Sequence, residues 1–140
     1  MRGLGALLAA CALTCSVAAV AAELPLRSGF YTLQGTPCEA ASFADVLHVM
    51  PGRFELGKDL CTITRLAPGQ TSLMVTMGCE DRVTGRKFTQ SMPIRIRDRE
   101  HFVYGRRPDA LYRYCALDTM PEKWRTANEL EPFYPADDPD

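Results

Sequence analysis

Cysteines, histidines and arginines are the residues of this chain whose types could carry chemistry. Cys11 and Cys15 lie in an apolar leader, whereas Cys38, Cys61, Cys79 and Cys115 are spread through the remainder. Four thiols in a short chain make a tetrahedral zinc site or two disulfides. Structural zinc favours pairs of thiolates about two to four residues apart, and the four cysteines contain no such pair. Two disulfides in an oxidising compartment are therefore expected, with no metal and no cofactor. Spacing leaves the pairing open among three choices. The reading leans to Cys38–Cys61 with Cys79–Cys115. Its runner-up is Cys61–Cys79 closing a hairpin, with Cys38–Cys115 tying the first strand to the last.

His48 and His101 are the only imidazoles. His101 ends the polar run Asp98-Arg99-Glu100-His101 and reads as a solvated loop residue. His48 follows Asp45 by three positions, which on a strand sets the two on opposite faces. General acid–base catalysis needs a partnered base within hydrogen-bond reach, and His48 offers none by this pattern. Ser28, Ser42, Ser72 and Ser91 sit in no G-x-S-x-G or S-x-x-K context. Glu80 and Asp81 read as a solvated rim. The chain has no H-E-x-x-H, no phosphate-cradling glycine loop and no calcium loop. No catalytic residue is expected, and a small hydrolase ranks last among the functional readings.

The arginines say more. Residues 82–113 carry Arg82, Arg86, Lys87, Arg95, Arg97, Arg99, Arg106, Arg107 and Arg113 against only Asp98, Glu100 and Asp109, although the formal net charge is −1. A strand would project Arg95 and Arg97 to one side, with Arg99, Arg106, Arg107 and Arg113 on nearby strands or turns. Guanidinium forks match carboxylates and phosphates and are enriched at interfaces. The competing reading is a solvated face paired with Glu100 and Asp109. Tyr112 and Tyr114 flank Arg113 and share a face, as a binding platform or as core. The expected partner is another envelope or secreted protein, or an anionic glycan or lipid headgroup; nucleic acid is not expected. Acidic residues dominate 114–140, which raises the further expectation that the end of the chain folds over the arginines.

The elements that must position these groups are short apolar runs separated by turn residues: 30–34, 43–50, 53–56, 61–66, 71–79, 86–97, 101–104 and 110–115. Pro51-Gly52 and Ala67-Pro68-Gly69-Gln70 read as hairpin turns. Phe88, Gln90, Met92, Ile94 and Ile96 occupy alternate positions with polar residues between, which gives a strand with one apolar face and Gln90 as an inward polar group. Pro93 calls for an edge or a bulge. The pattern predicts a mostly β fold: an antiparallel meander of seven or eight strands closed as a small barrel, or else a β-sandwich. After Cys115, Thr119-Met120-Pro121-Glu122 fits a helix-initiating capping box. Met120, Trp124, Ala127 and Leu130 then fall on one helical face, in a short helix ending near Pro132 that lays Trp124 on the core.

Residues 1–22 read as a secretory signal, with Arg2, the apolar run 3–20 and small residues in Val20-Ala21-Ala22. A membrane anchor is the rival, since the run approaches bilayer-spanning length. Lipid anchoring through Cys11, in Leu8-Ala9-Ala10-Cys11, is the minor one. Signal removal leaves no transmembrane span, one disulfide-stapled domain over 23–131, and an acidic tail over 132–140 expected to be disordered. The expected location is periplasmic or secreted.

With its signal, the opening Gly29-Phe30-Tyr31-Thr32-Leu33, the cysteines, the meander and the terminal helix, the chain resembles the small disulfide-bonded barrel proteins of the Gram-negative periplasm. Among these are lysozyme inhibitors, barrel inhibitors of secreted metalloproteases and lipocalin-like carriers. The likeness is one of architecture, and no inhibitory or ligand-binding residue is carried over from them. It implies first a protein-binding module, such as an inhibitor or toxin-neutralising partner. Second comes a carrier of a small apolar ligand, and third a structural envelope protein.

Overall fold

The computed structural model describes residues 22–133, so the leader and most of the acidic tail lie outside the described residues. Eight antiparallel strands follow one another round a closed barrel. They are β1 (Gly29–Leu33), β2 (Val46–Met50), β3 (Arg53–Leu56), β4 (Asp59–Pro68), β5 (Leu73–Asp81), β6 (Lys87–Asp98), β7 (His101–Tyr104) and β8 (Leu111–Cys115). All eight expected runs become strands, and β8 pairs with β1 to close the ring, so the barrel displaces the sandwich. Closure leaves no sheet edge exposed along its paired length, which suits a small sheet without a second layer.

Alternation sorts the side chains into two environments. Tyr31, Leu47, Val49, Phe54, Cys61, Ile63, Val75, Met77, Cys79, Ile94, Phe102 and Tyr112 fill the interior. An eight-stranded barrel is just wide enough for side chains to occupy its lumen. Aromatic rings pack through it: Tyr31 edge-on to Phe102, Phe102 stacked on Tyr112, and Phe54 tilted against Tyr104, with centroids 5.1, 5.5 and 6.3 Å apart. Phe88, Met92 and Ile96 turn inward as their period requires, packing against this cluster while partly buried. Pro93 sits where β7 has already ended: its carbonyl accepts from Gly105 N–H, so the missing proline donor faces a side with no ladder to break.

The lead-in plugs one end of the barrel. Leu26 joins the interior cluster with Ala22 and Leu24 against it. The Tyr31 hydroxyl lies 2.6 Å from the Arg27 carbonyl and 3.0 Å from that of Arg99, which pins this plug to the β6–β7 turn.

A second core lies outside the wall. Phe30, Cys38, Ala41, Val46, Cys115, Met120 and Trp124 are buried together, with Phe43, Leu117, Ala127 and Phe133 against them. Residues 116–133 form a strap that covers the outer faces of β1, β2 and β3. Only one helical turn forms there, α1 (Glu122–Arg125), capped at Pro121 rather than Thr119. The Thr119 hydroxyl instead donates to the Ala116 carbonyl at 2.7 Å, because a 3₁₀ turn, Leu117–Thr119, precedes the proline. The helical face reaching Leu130 is therefore not built: Met120 and Trp124 are buried, whereas Leu130 is 51 % exposed. The strap follows the barrel's curve, which a longer straight helix would leave.

The disulfides correct the favoured pairing. Cys61 bonds Cys79 and Cys38 bonds Cys115. Cys61 and Cys79 stand opposite each other on β4 and β5 and point inward. Cys38, in the short 3₁₀ turn Cys38–Ala40, meets Cys115 in the outer core. A Cys38–Cys61 bond would have had to pass through the barrel wall.

Candidate functional site

Two outer walls carry the groups singled out by the sequence. On the first, the two-residue turn at Pro51 and Gly52 folds β2 onto β3, with proline presetting its own φ and Gly52 at φ +66° supplying the left-handed position. The register then sets His48 opposite Glu55. Both are outward side chains, yet they are 1 % and 4 % exposed beneath the strap. His48 Nδ1 lies 3.2 Å from Glu55 Oε2, and Nε2 lies 3.0 Å from the Glu129 carbonyl. That carbonyl only accepts, so Nε2 is the donor of this bond. The Phe133 amide donates to the same Glu55 oxygen at 2.7 Å.

Aromatic rings roof the pair. Phe30 stacks on His48 at 4.3 Å, Phe133 on Trp124 at 4.1 Å and on Phe43 at 5.7 Å. Lys123 Nζ lies 4.5 Å from the centre of Phe43, a favourable cation–π position. Among the described residues, the Trp124 Nε1 donor has no hydrogen-bond partner. Beside the pair is a void of about 10 Å³ lined by Phe43, Val46, His48, Glu55, Gly57 and Trp124, roughly enough for one water molecule. This arrangement clamps the strap to the wall. Sequence reasoning missed the pair by testing His48 against Asp45 alone; counting outward from Pro51-Gly52 would have found Glu55.

The second wall, β6 to β8, carries the arginines, and the meander divides them. Arg95 stands on the outer face opposite Val103. A register shift between Ile96 and Asp98 inserts Arg97 as an extra residue, so it is Asp98 that pairs outward with His101, at 2.9 Å. Arg99 lies in the β6–β7 turn at the plugged end. Arg106 and Arg107 lie in the β7–β8 loop at the opposite end. Arg107 pairs with Asp109 at 2.8 Å, and Arg113 donates to the Thr36 carbonyl at 3.2 Å. The cross-strand pairing with Glu100 goes instead to Arg27, at 2.8 Å. Among the described residues, Arg95, Arg97, Arg99 and Arg106 have no ion pair. His101 opens β7 rather than floating in a loop, with its Asp98 carboxyl held below the usual range by the Glu100 amide and by His101 itself.

Tyr112 and Tyr114 do share a face, and it is the interior one. Tyr112 is 8 % exposed against Phe102. Tyr114 packs on Tyr31, under Arg27 and against Glu129. Gln90 points inward as expected, its amide nitrogen 3.4 Å from Cys79 Sγ and 3.6 Å from Cys61 Sγ. Asp81 is no free rim carboxylate: amides of Thr84 and Val83 and the Lys58 ammonium, at 3.0 Å, bind it. They hold its acidity at about 2, with the Thr84 amide the largest cause. Asp59, opposite it, is shifted the other way by burial and by the Asp81 charge.

No group of three or more potential metal ligands occurs among the described residues, nor any helix long and apolar enough to cross a membrane. In comparisons of sequence and structure, no protein family, characterised protein or solved structure matches the chain.

Proposed function

We propose that the protein is an exported binding module that engages an acidic surface of another envelope or secreted protein through its β6–β8 wall. One observation carries this reading: among the described residues, the guanidinium groups of Arg95, Arg97, Arg99 and Arg106, on β6 and in the turns at the two ends of β7, have no ion pair. Unpaired guanidinium groups suit bidentate capture of carboxylates. The reading is supported by the filled interior, which leaves the outer surface as the place for recognition, and weighs against an apolar ligand carried in the lumen. Two disulfides support a compartment outside the cytoplasm, and the leader supports the periplasm or the exterior.

The test is capture from envelope extract by the tagged protein lacking residues 1–22, run beside Arg95→Glu and Arg97→Glu. A partner retained by the parent, lost from both variants and released by salt supports the reading. Equal capture by parent and variants sinks it.

A further inference from the structure

We propose that the unpaired edge of β6, residues 87–92, receives an extended, acid-ended segment of the partner protein as an added antiparallel strand; this deepens the reading above and rests on it. The ladder from β6 to β7 runs from Ile94 to Asp98, whereas its ladder to β5 continues to Lys87. Two backbone bonds fix which way each amide faces. The Asp81 amide donates to the Arg86 carbonyl on the β5 side, and the Gly105 amide donates to the Pro93 carbonyl on the β7 side. Residues alternate sides along a ladder, so Lys87, Thr89 and Ser91 turn their N–H and C=O groups away from β5. Among the described residues, nothing pairs with those groups.

An unpaired edge is a template for another strand, and proteins blunt such edges with proline, bulges or charge. β4 shows the blunted form. Beyond its ladder to β3, which ends at Thr62, it carries a register shift between Ile63 and Arg65 and finishes at Pro68. Residues 87–92 of β6 have no shift against β5, and Lys87 is their one charged residue. The side chains along this edge also suit a neighbour. Phe88, Gln90 and Met92 face the lumen yet stay partly exposed, while Thr89 and Ser91 are exposed on the outer face. An added strand would set alternate apolar residues against Phe88 and Met92, and hydroxyl-bearing residues beside Thr89 and Ser91.

Charge at the two ends selects acidic residues. The Arg86 guanidinium lies over the Phe88 ring, 5.3 Å from its centroid, and Arg106 follows the Gly105 amide that holds Pro93. Neither arginine has an ion pair among the described residues. Glu80 stands 4.0 Å from the Lys87 ammonium, so that lysine adds little. Asp81 and Asp109 are bound by Lys58 and Arg107, at 3.0 and 2.8 Å. Arg86 and Arg106 therefore remain to take carboxylates. A second copy fits less well. Pairing two β6 edges about Thr89 sets Arg86 of one copy opposite Met92 of the other, next to its Arg106, like charge against like.

The probe is the peptide acetyl-Asp-Val-Thr-Val-Thr-Val-Asp-amide, added to native protein labelled with ¹⁵N. The Thr89 and Ser91 amides should exchange rapidly in the free protein and about tenfold more slowly with peptide bound. N-methylation of both threonines, which blocks the N–H groups aimed at the edge, should abolish that protection. Lysine in place of both aspartates should weaken binding about tenfold. Absence of protection, or protection that survives N-methylation, overturns strand addition. Slow exchange in the free protein shows a covered edge, and slowing that grows with protein concentration assigns the edge to a second copy; either result also overturns it. Capture from envelope extract separates this from the broader reading, because Thr89→Pro removes an edge donor and no bond to β5. A partner lost with Arg95→Glu but retained by Thr89→Pro overturns strand addition and leaves the acidic-surface reading standing. Peptide protection with capture indifferent to Arg95→Glu does the reverse.

Discussion

The wall formed by β1, β2 and β3 and the wall formed by β6, β7 and β8 obey the same alternation, yet their outward residues meet opposite fates. On the first, Phe30, Val46, His48 and Glu55 are buried. On the second, Arg97 stands in solvent and Arg95 is partly exposed. The difference comes from a strap whose residues lie some seventy positions or more from the strands they cover. A side chain's face is set by its own strand, but its burial is set by whatever crosses that face. The covered wall can therefore host a hydrogen-bonded ionisable pair and an aromatic roof, while the bare wall keeps its charges available.

Removing Cys38–Cys115 should break this contrast most. It closes a separation of 77 residues and joins the outer core, against 18 for Cys61–Cys79. Loop-closure entropy assigns about 4.5 kcal/mol to the first and about 3 kcal/mol to the second. Paired cysteine-to-alanine substitutions followed by urea unfolding check both values, and an equal loss would contradict the ranking.

Next in size, Glu55→Ala should cost about 3 kcal/mol, since it strands a buried imidazole and the Phe133 amide together. Trp124 fluorescence should shift toward that of exposed indole as the strap loosens. Glu55→Gln, which keeps an acceptor for Phe133, should lose less. Equal loss from both variants would mean that the carboxylate's charge, which glutamine lacks, decides the loss, and that its shape and the acceptor for Phe133 do not.

Acid sharpens the comparison through Asp81. Its folded-state pKa is lowered from 3.8 to about 2, so its stabilisation is full above the ordinary aspartate range and drains away as pH falls through about 2. Parent protein should lose more stability than Asp81→Asn between pH 4 and pH 2. Parallel acid-unfolding curves would show that the turn amides do not favour the ionised form.

The smallest stability effect should come from the bare wall. Arg95→Glu and Arg97→Glu should each change stability by no more than about 0.5 kcal/mol, as surface substitutions do, while reducing partner capture. A larger loss in thermal unfolding would assign these side chains to the fold.

Much of the barrel was legible because period-two burial and turn residues act locally. Each expected run between turns became a strand, and Phe88 to Ile96 took the predicted orientation. The turn at Pro51-Gly52 even contained the His48–Glu55 pairing, since a two-residue turn fixes who stands opposite whom. Other features needed register over a distance. From the β4–β5 hairpin end, Pro68 pairs with Leu73 and Arg65 with Thr76; continued unchanged, that register would set Cys61 against Glu80. The shift between Ile63 and Arg65 returns Cys61 to Cys79. No residue type in that stretch announces the shift.

Sequence by itself determined which residues could face a core, because a strand's geometry allows each side chain only one of two sides. Tertiary structure decided that there are two cores and that Cys38 and Cys115 belong to the outer one. It also placed Tyr112 inside and divided the arginines between the barrel's ends. Those outcomes depend on how distant segments close the sheet and cross its outer wall, and they rest on contacts that no local pattern encodes.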